Sequence, residues 1–133
     1  MSMEESLTSL VDAFHASWNA HDEEAIMDWF TEEAVVSMCP APPGEPDSYH
    51  GKEEIIGLVR QTLPGFHVET RSHGVLGDTV TSDVTIASDS LPVELADATV
   101  ATVFEGEKVR ALRGVFTPEM LRKMGEAMEA ADA

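Results

Sequence analysis

Apolar residues recur with two different periods along the chain, and the change between them divides it in two. In the first half Leu7, Leu10, Val11, Phe14 and Trp18 fall on one helical stripe, with Ser2 and Glu5 placed as a capping box, so a helix is expected to about Asn19. Asp22 is placed to cap a shorter helix whose apolar positions are Ile26, Met27, Trp29 and Phe30 and which ends near Thr31. Residues 34–39 read as a strand. Pro40, Pro42, Pro43, Gly44 and Pro46 forbid regular structure, which makes 40–50 an irregular loop. Helical spacing returns through Ile55, Ile56, Val59 and Leu63, giving a third helix over 52–63 that Pro64-Gly65 stops.

The second half alternates instead. Residues 67–76, 79–88, 98–105 and 108–116 are rich in Val, Thr and Ile, with Gly77-Asp78 and Gly106-Glu107 where hairpin turns are needed. Thr117-Pro118 then opens a closing helix marked by Met120, Leu121, Met124 and Met128. Helices followed by a meander of hairpins give the α+β class. A strongly curved sheet wrapped on one helix would enclose an apolar hollow.

At 133 residues with 43% hydrophobic and 25% charged positions, the chain is expected to form one domain over 1–133, without disorder or a membrane span. The acidic opening Met1-Ser2-Met3-Glu4-Glu5 lacks the pattern of a secretory signal, so a cytoplasmic location is expected. Cys39 is the single cysteine, which excludes an internal disulfide and a cysteine-based zinc cluster. Net charge is −17, and residues 1–51 hold eleven Asp or Glu with no Lys or Arg. Such a surface suits solubility or high salt, and it makes nucleic acid and anionic lipid poor partners.

The segments Phe14-His15-Ala16-Ser17-Trp18-Asn19-Ala20-His21-Asp22 and Phe30-Thr31-Glu32-Glu33-Ala34-Val35-Val36, followed by His50-Gly51-Lys52-Glu53-Glu54-Ile55 and Val103-Phe104-Glu105-Gly106, resemble SnoaL-like proteins of the nuclear transport factor 2-like superfamily. The resemblance runs over roughly residues 5–122 and implies a cone-shaped fold of N-terminal helices on a curved, mainly antiparallel sheet, with a C-terminal helix. It also implies a homodimer formed through the outer sheet face. It does not fix function, because that fold hosts isomerases, epoxide hydrolases, cyclases, dehydratases and binding proteins.

The catalytic groups of those enzymes are missing at the matching positions. Ketosteroid isomerases use a carboxylate base with a tyrosine and a protonated aspartic acid as oxyanion donors; Met38, Phe14 and Val100 stand there, and Phe30 and Val59 replace two supporting tyrosines. Cys39-Pro40-Ala41-Pro42-Pro43 resembles a loop of limonene epoxide hydrolase, yet Gly114, Val84 and Ile86 match its charged triad and Val36 and Met38 its water ligands. Leu112-Arg113-Gly114 stands where SnoaL-type cyclases carry His-Trp-Asp. Met38, Phe14, Val100, Phe30 and Val59 carry no group that moves a proton, which makes steroid-isomerase chemistry by that route an unexpected function.

The remaining polar candidates have competing readings. His15 borders the apolar stripe of the first helix and either looks into the hollow or sits at its boundary. Tyr49 either donates a hydrogen bond at the mouth or packs on the third helix. His67, Glu69, Arg71 and His73 alternate along one strand, as either an acid-base or metal-binding face or a solvated or dimer-facing one. Asp83 is directed outward, Asp89 and Asp97 read as loop residues, and Arg110 and Arg113 cannot share a face of an unbroken strand. Cys39 reads as a small buried hydrophobe, and the methionine stripe as packing or as a lid.

The sequence therefore points to binding of a small hydrophobic molecule in a pocket lined by Phe14, Trp18, Val36, Met38, Val59, Val84, Ile86, Val100, Leu112, Gly114 and Phe116, with His15, Tyr49 and His67 as polar contacts. No metal or cofactor is expected. The alternative is an enzyme of the same family whose acid-base groups sit at unusual positions.

Overall fold

The computed structural model describes residues 3–39, 46–91 and 93–132. The Ser2 cap, the proline run through residue 45 and the Met128 side chain lie outside the described residues. The elements are α1 (Met3–Asn19), α2 (Glu23–Trp29), β1 (Phe30–Cys39), β2 (Ser48–His50), α3 (Gly51–Thr62), β3 (His67–Leu76), β4 (Thr79–Ala87), β5 (Ala96–Glu105), β6 (Lys108–Phe116) and α4 (Pro118–Asp132). The caps are those the sequence implies: Asp22 accepts a hydrogen bond from the Ala25 amide at 3.1 Å, and Thr117 Oγ1 accepts one from the Met120 amide at 3.2 Å.

Three boundaries differ from the sequence reading. Phe30, expected in the second helix, already has extended backbone and begins β1, where its ring stays buried in the core. Within the expected loop, β2 pairs antiparallel with β1 at Val35, Val36 and Ser37; three residues next to prolines carry too little alternation to read as a strand. Asp97 belongs to β5, where its carboxylate accepts from Thr85 Oγ1 at 3.2 Å.

The class is α+β, built on one six-stranded sheet in the order β2-β1-β6-β5-β4-β3. The β1–β6 pair is parallel and the other pairs are antiparallel. Gly77 and Gly106 take φ of 63° and 62°, the left-handed backbone that tight two-residue hairpins demand. Two bulges bend the meander. Register shifts between Thr70 and Ser72 leave Arg71 unpaired, and the shift opposite Val103 and Phe104 leaves Arg110 unpaired. An extra residue increases local twist and reverses alternation beyond it.

That reversal corrects the reading of β3 as one polar face. Val68 is buried before the bulge, and beyond it His73 faces inward to reach buried Ser82, while His67, Glu69 and Arg71 are exposed. Arg71 pairs with Asp97 at 3.5 Å. Because β6 is broken at Arg110, the unbroken-strand argument about Arg110 and Arg113 does not apply, and both are exposed.

The core forms two clusters. The larger joins Val11, Phe14, Ile26, Phe30, Ile55, Val59, Val80, Phe104 and Val109; the smaller joins Val68, Val84, Ala96, Ala98, Val100 and Phe116 with Met120 and Met124 of α4. Asn19 clamps α1 to β3 by donating to the Val68 carbonyl at 2.9 Å and accepting from its amide at 2.7 Å. The acidic N-terminal region borrows cations from elsewhere: Arg60 lies 2.7 Å from Glu23, and Lys52 lies 3.7 Å from Glu32. No described helix is long and apolar enough to cross a membrane.

Candidate functional site: an apolar cavity under the curved sheet

A cavity of about 130 Å³ lies between α1, the end of α3 and the concave face of the sheet. Helical spacing on α1 turns Phe14, His15 and Trp18 toward it. Period-two alternation contributes Val36 and Met38 from β1, Tyr49 from β2, Leu112, Gly114 and Phe116 from β6, Ala98 and Val100 from β5, Ile86 from β4 and Val68 from β3. The register explains the convergence: Met38 lies beside Gly114 and Gly114 beside Val100, so three strands present one row. Leu58, Gln61, Thr62, Phe66, Ser90 and Leu91 complete the wall, together with Ser37 between Val36 and Met38.

An aromatic group braces the α1 side. Phe14 meets Trp18, Trp29 and Phe30 edge-on at centroid distances of 6.3, 5.8 and 5.6 Å, and Trp18 lies 5.1 Å from Phe66. Such geometry satisfies the ring quadrupoles and fixes the rings bordering the cavity.

Two expected lining residues and one expected polar contact lie elsewhere. Val59 is fully buried among the larger cluster, Val84 is fully buried in the smaller one, and His67 is exposed on β3. The cavity takes the last turn of α3, through Leu58, Gln61 and Thr62, instead of Val59. For Leu58 the signal was present, since it lies three residues beyond Ile55 on the same helix; Phe66, in the connection between α3 and β3, had none. Met120 and Met124 pack against the second cluster and do not line the cavity. Cys39, expected to be buried, is exposed at the end of β1.

His15 is the imidazole in the wall. It is 7% exposed, and its Nδ1 lies 2.9 Å from Thr70 Oγ1. Burial, helped by nearby His73 and opposed by Asp12, lowers its pKa from the ordinary 6.5 to about 4, so the ring is neutral at pH 7. His73 is held separately: its Nδ1 lies 2.7 Å from Ser82 Oγ and its Nε2 2.7 Å from an Asp12 carboxylate oxygen, with its ring 6.4 Å from that of His15. Ser82 is fully buried and outside the cavity wall, so this Asp-His-Ser array offers a substrate no accessible hydroxyl. No group of three or more metal-ligating side chains occurs among the described residues.

A SnoaL-like domain model matches residues 11–117. The chain belongs to the SnoaL-like domain family. Solved structures agree on its NTF2-like fold. The epoxide hydrolase/cyclase-like enzyme SalBIII, described for its role in pyran ring formation in the polyether salinomycin, is 17% identical with a TM-score of 0.76, over 90% of this chain and 97% of that one. An NTF2-like protein of unknown function from Cytophaga hutchinsonii is 16% identical with a TM-score of 0.71, over 87% and 94%. An uncharacterized cystatin-fold protein from Novosphingobium aromaticivorans is 20% identical with a TM-score of 0.68, over 81% and 96%. No curated protein gives a significant sequence match.

Proposed function

We propose that this SnoaL-like protein binds a small hydrophobic molecule in the cavity. The observation that carries the reading is the wall itself, in which Met38, Val100 and Gly114 meet in one row, at positions where the family resemblance would put the acids of related enzymes. A concave, mostly apolar site with few polar groups is the usual form of a small-molecule pocket. The volume is of the order of the ~150 Å³ apolar cavity that accepts benzene in another protein, so a one-ring ligand sets the scale. We further propose a cytoplasmic homodimer formed through the outer sheet face, where Val115 is 39% exposed.

Mass spectrometry of molecules released from natively purified protein tests the reading. A stoichiometric apolar compound is expected; repeated purification without one, together with failure to bind small hydrocarbons, overturns it.

The enzymatic alternative draws on His15, the buried imidazole of the wall, as a base. Its lowered pKa argues against that role, because a general base works best with a pKa near the working pH. Turnover of an epoxide or steroid substrate that survives purification and disappears in both His15→Ala and Tyr49→Phe, with both variants folded, would favour the enzyme.

A further inference from the structure

We infer that the ligand is uncharged and carries a hydroxyl group that hydrogen-bonds His15 Nε2, an inference that rests on the binding reading above. The first part follows from charge. No Lys, Arg, Asp or Glu lines the cavity among the described residues. A carboxylate or ammonium carried into such a wall would lose its hydration with no opposite charge to replace it. An anion would also approach a chain of net charge −17.

The second part follows from His15. Its Nδ1 is engaged by Thr70, whereas its Nε2 has no hydrogen-bond partner among the described residues. That atom is not sealed in the core, since Thr102 Oγ1 is the fully buried side-chain polar atom left without a partner among them. A ring that is 7% exposed and borders the cavity thus keeps one nitrogen within a ligand's reach. Thr70 can donate to Nδ1, making Nε2 a donor, or accept from it, making Nε2 an acceptor. A hydroxyl satisfies either tautomer because it both donates and accepts, while an ether or ketone satisfies only one. The ligand class is therefore a neutral alcohol or phenol with an apolar body.

Three probes sharing one ring test this: p-cresol, p-xylene and 4-methylbenzoate, titrated into the full chain by calorimetry at pH 7. Both neutral probes are expected to bind and the carboxylate to give no measurable heat. His15→Phe and His15→Met, made in parallel so that one folded apolar replacement suffices, are expected to weaken p-cresol about tenfold, as loss of a buried hydrogen bond implies. p-Xylene, which makes no hydrogen bond, should be weakened less than p-cresol by the same variant. In unaltered protein labelled with nitrogen-15, the His15 Nε2 resonance should move with p-cresol and stay with p-xylene. Equal weakening of both neutral probes, an unmoved Nε2 resonance, or tight binding of the carboxylate overturns the inference while leaving the cavity reading standing. Failure of both neutral probes to bind unaltered protein overturns both.

Discussion

The two ends of the sheet's concave face belong to the same strands, yet one end is filled and the other is hollow. At the filled end Val80, Thr102, Phe104 and Val109 point inward and meet Val11 and Phe14 of α1 and Ile55 and Val59 of α3, nearly all without exposed surface. Four to six residues along the same strands, the inward positions are Ile86, Ala98 and Gly114, and the helices opposite them offer Trp18 and Thr62. Side-chain size at fixed register therefore decides where the cavity lies. A protein interior ordinarily closes to crystal-like density, so small residues at one end of a curved sheet leave space that neighbours braced by an aromatic group cannot close.

Protonation of His15, which stands where the two regions meet, should have the largest effect. Its folded pKa of about 4 lies below the ordinary 6.5, so the unfolded chain binds the proton first. The stability this ring contributes is complete above pH 6.5 and is lost as pH falls toward 4, by about 3 kcal/mol in total. Neutralising the many carboxylates acts in the opposite direction, so the readout is the difference between the protein and its His15→Phe variant in urea melts from pH 7 to pH 4. A difference that does not change with pH would show that the ring is not held neutral.

A matched pair of truncations compares the two ends directly. Val80→Ala removes two methyl groups from fully packed surroundings and should cost roughly 2–3 kcal/mol, including the new void. Val100→Ala removes the same atoms from a side chain that already borders the cavity, and should cost about half as much. Equal costs in urea unfolding would mean that the two regions are packed alike.

How far the sequence could anticipate this arrangement differs between elements. Period and caps gave the order and class of the elements, because Asp22, Thr117 and the hairpin glycines act on their nearest neighbours. The bulges at Arg71 and Arg110 were not legible, since each depends on pairing with a strand distant in the sequence, and the first moved His73 to the inner face while His67 stayed outside. The same dependence affects the wall. Positions on unbroken alternation, such as Val36, Met38, Ile86 and Val100, line the cavity, whereas Val59 and Val84 point the right way but sit where the core is full.

Thr102 sharpens the picture of the filled end by about 1 kcal/mol. Its hydroxyl is fully buried, and its Oγ1 has no partner among the described residues. Val has nearly the same shape without the polar atom, so Thr102→Val should raise stability by roughly 1 kcal/mol, read as a higher urea midpoint with an unchanged slope. A loss of stability would show that the hydroxyl is satisfied and that this end of the core is less dry than its burial suggests.

Gly114 tests the hollow end with the smallest expected change in stability. A Cβ built there meets nothing within 4 Å, and its strand neighbours Met38 and Val100 also face the cavity. Gly114→Phe should then place its ring in open space, shifting unfolding by less than about 1 kcal/mol where a filled site would be strained by roughly 1–3. The same ring occupies the volume a ligand needs, so p-xylene binding should be lost although the fold persists. Val115→Phe provides the opposite-face control: Val115 is partly exposed and paired with Thr99 and Cys39, so its variant should keep p-xylene binding and alter only what covers the outer face. Calorimetric titration, melting temperature and oligomeric mass of the two variants separate these outcomes. Unimpaired p-xylene binding by a folded Gly114→Phe protein would mean that the ligand does not use the row formed by Met38, Gly114 and Val100, and would move the candidate site out of the concave face.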